Sequence, residues 1–344
     1  MTGPRNTGRP RASTISDVAA AAGVATSTVS RALSNPDRVN FRTRERIEQA
    51  VVDLQYVPSS QARGLSVGRT NTVALLVPDI TNPFYFGIIH GAQSQLKAAG
   101  YTQLLIDTEE SAESEAESLE KLRKSADGVI LAASRLDDEL LRSAGKKIPM
   151  VAINRNAPGV PSVLIDTPSG VTQALEHLVS LGHSRIGYVS GPSSSWSSDR
   201  RWEALERRAE ELAVVVVKVG AFPPKRTSGA AAAEAAFNSR VTACICFNDL
   251  IAMGMLQRLS ARGIHVPEVF SVIGCDDIFG ADFCDPPLTT LTAPIEQAGR
   301  VAVSMLLAQI EPSSSTPLRT LATLPTHLTI RGSTGPSPRD GAVE

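Results

Sequence analysis

At 344 residues, with 42% hydrophobic and 20% charged residues, the chain is long enough for two or three compact units and has the composition of a soluble globular protein. Its longest apolar runs, such as Ala213 to Val217, fall far short of the ~20 residues that span a bilayer. The polar start, with Arg5, Arg9 and Arg11, lacks the apolar segment of a secretory signal, so the expected location is the cytoplasm. The net charge of −1 hides an asymmetry, because residues 1–70 hold ten arginines and no lysine against five carboxylates, leaving +5 there and −6 on residues 71–344. Such a basic front is either a nucleic-acid surface or a solvated arm without a partner.

In chain order, residues 1–13 read as a disordered basic arm. Thr14-Ile15-Ser16-Asp17 fits a capping box, with Asp17 where Glu or Gln is commoner. Ile15, Val18, Ala19 and Ala22 then form an apolar stripe, and Gly23 stops the helix where a left-handed residue is wanted. A second helix follows from Thr26, with Val29, Ala32 and Leu33 inward and Thr26, Ser27, Ser30 and Arg31 outward. This is a helix-turn-helix pattern, and its short hydrogen-bonding outer face with one arginine suits base edges in the major groove. A small helical bundle without a DNA role is the alternative. Asn40 caps a third helix with Ile47, Ala50, Val51 and Leu54 on one face, closing a unit over 14–58.

After a small-residue segment over 59–70, apolar runs alternate with amphipathic stretches. Val73–Val77, Gln103–Ile106, Gly128–Ala132, Met150–Ile153, Ile186–Val189, Val214–Val219, Ala243–Phe247 and Val272–Gly274 read as buried parallel strands. Phe84–Ala99, Ser169–Leu181, Arg200–Leu212 and Leu250–Arg262 carry helical spacing between them. Alternation of this kind over 71–331 makes an α/β fold of two doubly wound lobes, with a ligand cleft at the carboxyl ends of the strands. The last segment, 332–344, reads as a disordered tail. Cys244, Cys246, Cys275 and Cys284 lack the spacing of a zinc site or a disulfide framework and are read as reduced thiols, and no leucine heptads suggest a coiled coil.

The front resembles the headpiece of the LacI/GalR family of transcriptional regulators. Thr14-Ile15 to Val18-Ala19, Gly23-Val24, Thr28-Val29-Ser30-Arg31, Thr43-Arg44 and Tyr56-Val57-Pro58 carry that resemblance at matching spacing. The resemblance implies an all-α DNA-binding headpiece in which Thr26, Ser27 and Arg31 read bases, with Thr14, Thr28, Ser30 and Arg63 also at the DNA. It implies a hinge helix over Ser59–Val67 in the minor groove, where Leu65 either wedges between base steps, at a cost of about a few kcal/mol of unstacking, or merely packs. Ala25 departs from the family's usual capping serine, a loss of about 0.5–2 kcal/mol unless Thr26 takes over, so the recognition helix is expected to start one residue late.

Along the body, the motifs run Asp79-Ile80-Thr81-Asn82-Pro83-Phe84-Tyr85, Asp127-Gly128-Val129-Ile130, Asn154-Arg155, Leu181-Gly182-His183, Gly191-Pro192, Asn248-Asp249, Gly274-Cys275-Asp276-Asp277 and Pro287-Leu288-Thr289-Thr290, the last read as a return crossover. They resemble the periplasmic sugar-binding-protein-like core of the same family. By that resemblance Asp79, Arg155, Asp166, Arg201, Asn248 and Asp276 are effector hydrogen-bonding groups, with Phe84, Tyr85 and Phe222 as ring contacts. Planar carboxylates and amides beside an aromatic face suit a polyol ring. Arg155 is alternatively an interlobe ion pair, Asn82 and Asp249 read as helix caps, and His183 as a turn residue. Cys275 and Ala293 stand where the family usually has an aromatic and a glutamine, which keeps a purine or nucleoside open beside a sugar.

No phosphate-cradling glycine loop, nucleophile elbow or metal cluster is found, so no catalytic residue, cofactor or metal is assigned and an enzyme is not expected. A solute-binding protein would explain the body but not the front. The resemblance implies an allosteric repressor that binds pseudopalindromic operator DNA as a homodimer, with no membrane partner.

Overall fold

The computed structural model describes residues 13–56, 69–311 and 320–338, which fall into two units, 1–70 and 71–344. The proposed hinge, with Arg63 and Leu65, lies outside the described residues.

In the first unit, α1 (Ile15–Ala22) starts with the capping box intact: the Thr14 hydroxyl accepts from Asp17 N, and the Asp17 carboxylate accepts from Thr14 N at 2.7 Å. Gly23, at φ 62°, ends it in the left-handed conformation that only glycine adopts without strain. α2 (Thr26–Ser34) begins at Thr26 with Ala25 in extended conformation and no side-chain cap, so the start is not displaced and the cap is simply missing. Val18, Ala19, Ala22, Val29 and Ala32 meet Ile47 and Ala50 of α3 (Phe41–Asp53) and Tyr56 in one buried cluster.

In the second unit, β1 (Thr72–Val77), β2 (Thr102–Asp107), β3 (Gly128–Ala132), β4 (Met150–Ile153), β5 (Ser162–Ile165) and β11 (Leu321–Leu324) form one parallel sheet in the order β11-β5-β4-β3-β1-β2. Alternation sends Val73, Leu75 and Val77 to one face, under α4 (Phe84–Ala98) and α11 (Ile295–Ile310). Ala74 and Leu76 face the other way, toward α5 (Ala112–Leu122) and α6 (Asp138–Gly145).

The second sheet runs β12-β10-β9-β8-β6-β7, from β6 (Arg185–Val189), β7 (Val215–Val219), β8 (Ala243–Cys246), β9 (Ser271–Cys275), β10 (Thr289–Thr292) and the antiparallel β12 (His327–Thr329). Its faces are covered by α9 (Gly229–Asn238) with α10 (Asp249–Ala261), and by α7 (Thr167–Ser180) with α8 (Trp196–Leu212). Among the described residues the chain passes between the sheets after β5, after β10 and between β11 and β12. The crossover read at Pro287–Thr290 is therefore corrected to one strand later, at Ala293–Pro294, because Thr289–Thr292 is itself β10.

α9 and α10 cross at their glycines: a Cβ on Gly254 would lie 2.1 Å from the Arg226 carbonyl oxygen. Backbone cannot yield as a flexible side chain does, so Gly254→Ala is expected to cost about 1–3 kcal/mol in urea denaturation. An unchanged midpoint would show that the two helices separate without loss.

The sequence reading of 332–344 as a disordered tail is corrected for residues 332–338. Ser333 is fully buried, its hydroxyl donating to Val272 O at 2.6 Å and accepting from Thr289 N at 2.8 Å, and Ser337 N donates to Leu181 O. Small polar residues serve here because the burial is of backbone, which composition does not reveal. His183 closes the same seam, bonded to Thr242 Oγ1 at 2.8 Å and to Gly335 O at 3.1 Å, so it anchors the C-terminal segment as well as following a turn. All four cysteines are free, and no described helix is long and apolar enough to cross a membrane.

Candidate DNA-reading face and effector cleft

On α2, Val29 and Ala32 are buried while Thr26, Ser27 and Arg31 are exposed and Thr28 and Ser30 are partly so. The helix thus offers short hydroxyl side chains and one guanidinium on a single outer surface. Thr14 differs, since its hydroxyl is committed to the Asp17 carboxylate at 2.7 Å and serves the cap.

The cleft of the second unit is built from chain immediately following strand carboxyl ends, where backbone leaves the sheet and side chains are released from the core. Its wider chamber, about 670 Å³, is lined by Asp79 after β1, Asp107 and Glu109 at the end of β2, Ser193 after β6, and Phe222 and Lys225 after β7. A narrow inner chamber of about 30 Å³, room for roughly one water, is lined by Phe84, Tyr85, Arg201, Asn248 and Asp276 together with Glu110, Arg135, Asn154 and Phe247. Glu110 and Pro224 belong to both. Four residues of the inner lining have left-handed or positive φ without being glycine: Glu110 (59°), Ala133 (48°), Asn154 (54°) and Asp276 (120°). Strained backbone gathered at one cavity is the signature of a site whose geometry is over-determined by its surroundings.

Arg201 is buried, donating from Nε to Thr167 Oγ1 at 3.0 Å and from Nη1 to the Phe247 carbonyl, with its guanidinium 5.0 Å from the Phe247 ring centroid. Its charge acts on Asp276, whose carboxyl is nonetheless pushed well above the usual range by burial. Asn248 caps α10, accepting from Ile251 N at 3.0 Å while its Nδ2 donates to Pro224 O at 3.1 Å. Arg135 is held by Glu110 at 2.6 Å and by Ala133 O at 3.0 Å, and its own N–H is fixed by the buried Glu115 carboxylate at 2.9 Å.

Residues 14–59 match the model of bacterial regulatory proteins of the lacI family, and residues 175–334 match that of a periplasmic binding protein-like domain. The HTH-type transcriptional repressor PurR of Photobacterium profundum is 33% identical over 307 residues, 87% of this chain and 92% of that protein. The chain belongs to the LacI family. It is a DNA-binding transcriptional regulator with a ligand-binding domain of the periplasmic type. Among solved structures, the transcriptional regulator CelR in complex with cellobiose is 30% identical with a TM-score of 0.68, covering 94% of this chain and all (100%) of that one. The Lac repressor dimer bound to operator and the anti-inducer ONPF shares the fold at TM-score 0.82 and 24% identity, covering 94% of this chain and 100% of that one.

Within this LacI-family core, seven of the nine expected effector residues line the two chambers. Arg155 does not: it pairs with Asp138 at 2.7 Å and donates to Leu136 O, both in its own lobe, so it is not an interlobe pair either. Asp166 caps α7, accepting from Ser169 N at 3.2 Å and from the Ser169 hydroxyl at 2.7 Å, and stands outside both chambers. Glu110, Arg135, Asn154 and Phe247 line the cavity although none is among the nine expected effector residues. The usable signal is their position within three residues of a strand's carboxyl end.

Asn82 lies one residue before Pro83, the N-cap of α4, and accepts from Phe84 N at 3.1 Å, so it serves the helix start from just outside it, whereas Asp249 caps nothing. It is fully buried behind Asp276, accepting from the Thr290 hydroxyl at 2.6 Å and from Ile278 N at 2.9 Å, and a Cβ on Gly274 would lie 2.0 Å from it. Burial pushes its carboxyl up to about 6, with the two hydrogen bonds offsetting part of the shift. The folded state therefore holds the proton more tightly than the unfolded chain. That contribution to stability is full below about pH 4 and is lost as pH rises through about 6, a difference of about 3 kcal/mol. Asp249→Asn keeps both contacts, because the Thr290 hydroxyl turns to accept from the amide. Its unfolding free energy relative to wild type is expected to improve by about 3 kcal/mol between about pH 4 and about pH 7. A pH-independent difference in urea denaturation would rule this out.

Proposed function

We propose that this regulator acts as an allosteric repressor, reading operator DNA with Thr26, Ser27, Thr28, Ser30 and Arg31 and binding a sugar-like effector in the cleft of its second unit. The carrying observation is the convergence of Asp276, Arg201, Asn248, Phe84 and Tyr85 from both lobes on one cavity, with Asp79 and Phe222 in the adjoining chamber. Paired donors and acceptors beside aromatic faces suit a polyhydroxylated ring, and a similar regulator is known with cellobiose bound. With the lobes joined by chain crossings, a ligand touching both would favour one lobe arrangement over another, which is what links the cleft to operator affinity. A homodimer on a two-half-site operator follows the dimeric state of the Lac repressor complex.

The test is footprinting of operator fragments enriched from genomic DNA by the purified full-length protein, with and without candidate sugars. A pseudopalindromic footprint altered by one compound supports the reading; a footprint indifferent to every ligand that binds the cleft overturns the allosteric part.

A further inference from the structure

The three helices whose N-termini line the inner chamber, α4, α8 and α10, are the places where an anionic ligand would ordinarily be held. Here one N–H of each first turn is already taken by a side chain of its own chain. Asn82 Oδ1 accepts from Phe84 N at 3.1 Å, Ser195 Oγ from Ser198 N at 3.3 Å, and Asn248 Oδ1 from Ile251 N at 3.0 Å. Both guanidiniums of the inner lining are engaged as well. Arg135 spends Nε and Nη2 on Glu110 and Nη1 on Ala133 O, and Arg201 spends Nε on Thr167 and Nη1 on Phe247 O while facing Asp276.

The inner chamber, at about 30 Å³, leaves the bulk of any ligand in the wider one of about 670 Å³. Among the described residues, that chamber is lined by Asp79, Asp107 and Glu109 against the cation Lys225, while Glu110, also in its lining, is neutralised by Arg135. A phosphate monoester brings a charge of about −1.5 to −2 near neutral pH. It would meet this excess of negative charge with no open fork of donors to receive it.

We propose that the cleft admits uncharged polyhydroxylated ligands, a free saccharide or a nucleoside, and discriminates against their phosphate esters. This rests on the cleft being the effector site. The lining makes the selectivity physical: the carboxylates accept from ligand hydroxyls, as they do from Thr81 and backbone amides in the protein itself, whereas a phosphate offers them only more acceptors.

The experiment is isothermal titration calorimetry of the full-length protein with matched pairs, cellobiose against cellobiose 6-phosphate and cytidine against cytidine monophosphate. In the pair that binds, the uncharged member is expected to bind at least about tenfold more tightly, and which pair binds separates saccharide from nucleoside. Glu109→Lys, an exposed change at the chamber rim, is expected to narrow that ratio by roughly threefold or more at low salt. Equal or tighter binding of the phosphate ester overturns the proposal, as does a ratio unmoved by Glu109→Lys or failure of both uncharged ligands to bind. Binding unaffected by Asp276→Ala, with the preference for the uncharged member intact, would instead remove the assignment of the inner residues and leave the charge selectivity standing.

Discussion

Asp276→Ala is expected to abolish the effector response while leaving effector-free operator affinity within about twofold of wild type. Asp276 sits at the end of β9 with φ 120°, a conformation that an aspartate keeps only where its surroundings enforce it. Its backbone N–H is tied to Leu291 O at 3.0 Å, and the following loop is held by Asp249 through Ile278 N and by the Arg331–Asp277 ion pair at 2.7 Å. The carboxylate is thus aimed into the cavity by its neighbours and is opposed there by the buried Arg201. Truncating it removes the group proposed to exchange a hydrogen bond with an effector hydroxyl, and the ligand group left unpaired in the closed cavity costs about 1–3 kcal/mol of effector affinity. Effector titrations paired with operator gel shifts measure both halves. A wild-type response in the variant would show that the ligand does not use the inner chamber.

Arg31→Ala is the second large effect. Arg31 lies in the last turn of α2, exposed on the outer surface that it shares with Ser27, Thr28 and Ser30. A bidentate guanidinium contact to guanine carries about 1–3 kcal/mol of discrimination, so the variant is expected to lose roughly tenfold to a hundredfold preference for its own operator over a substituted one. Competition gel shifts repeated over a range of salt concentrations distinguish this from a phosphate contact. If affinity falls equally on all sequences and the salt slope drops by about one, Arg31 touches backbone rather than a base.

The parts of the molecule governed by neighbours along the chain are legible in the sequence. The capping box of Thr14 and Asp17, the left-handed stop at Gly23 and the inward Val29 and Ala32 follow from spacing over a single turn. The central strands Gly128–Ala132 and Met150–Ile153 stand where unbroken apolar runs place them, because a strand buried on both faces has no polar face to obscure it. β5 and β10 escape the same reading, since Ser162 and Thr289 there bury hydroxyls that bond to the Val160 carbonyl and to the Thr334 hydroxyl.

The cleft is legible as a set of strand ends and not as a set of directions. Asn154 and Arg155 are adjacent in sequence, yet only Asn154, at φ 54°, turns toward the chamber, while Arg155 is drawn to Asp138 on α6. Asn248 takes the cap expected of Asp249 while still lining the chamber, and Asp249 turns inward, because the hollow over Gly274 admits one carboxylate and the partners waiting there, Thr290 and Ile278, come from distant segments. Composition and periodicity report which residues leave water and which elements they form. Which polar group faces a ligand is settled by left-handed turns at strand ends and by partners brought from across the fold, and these exist only once both sheets have closed around the cavity.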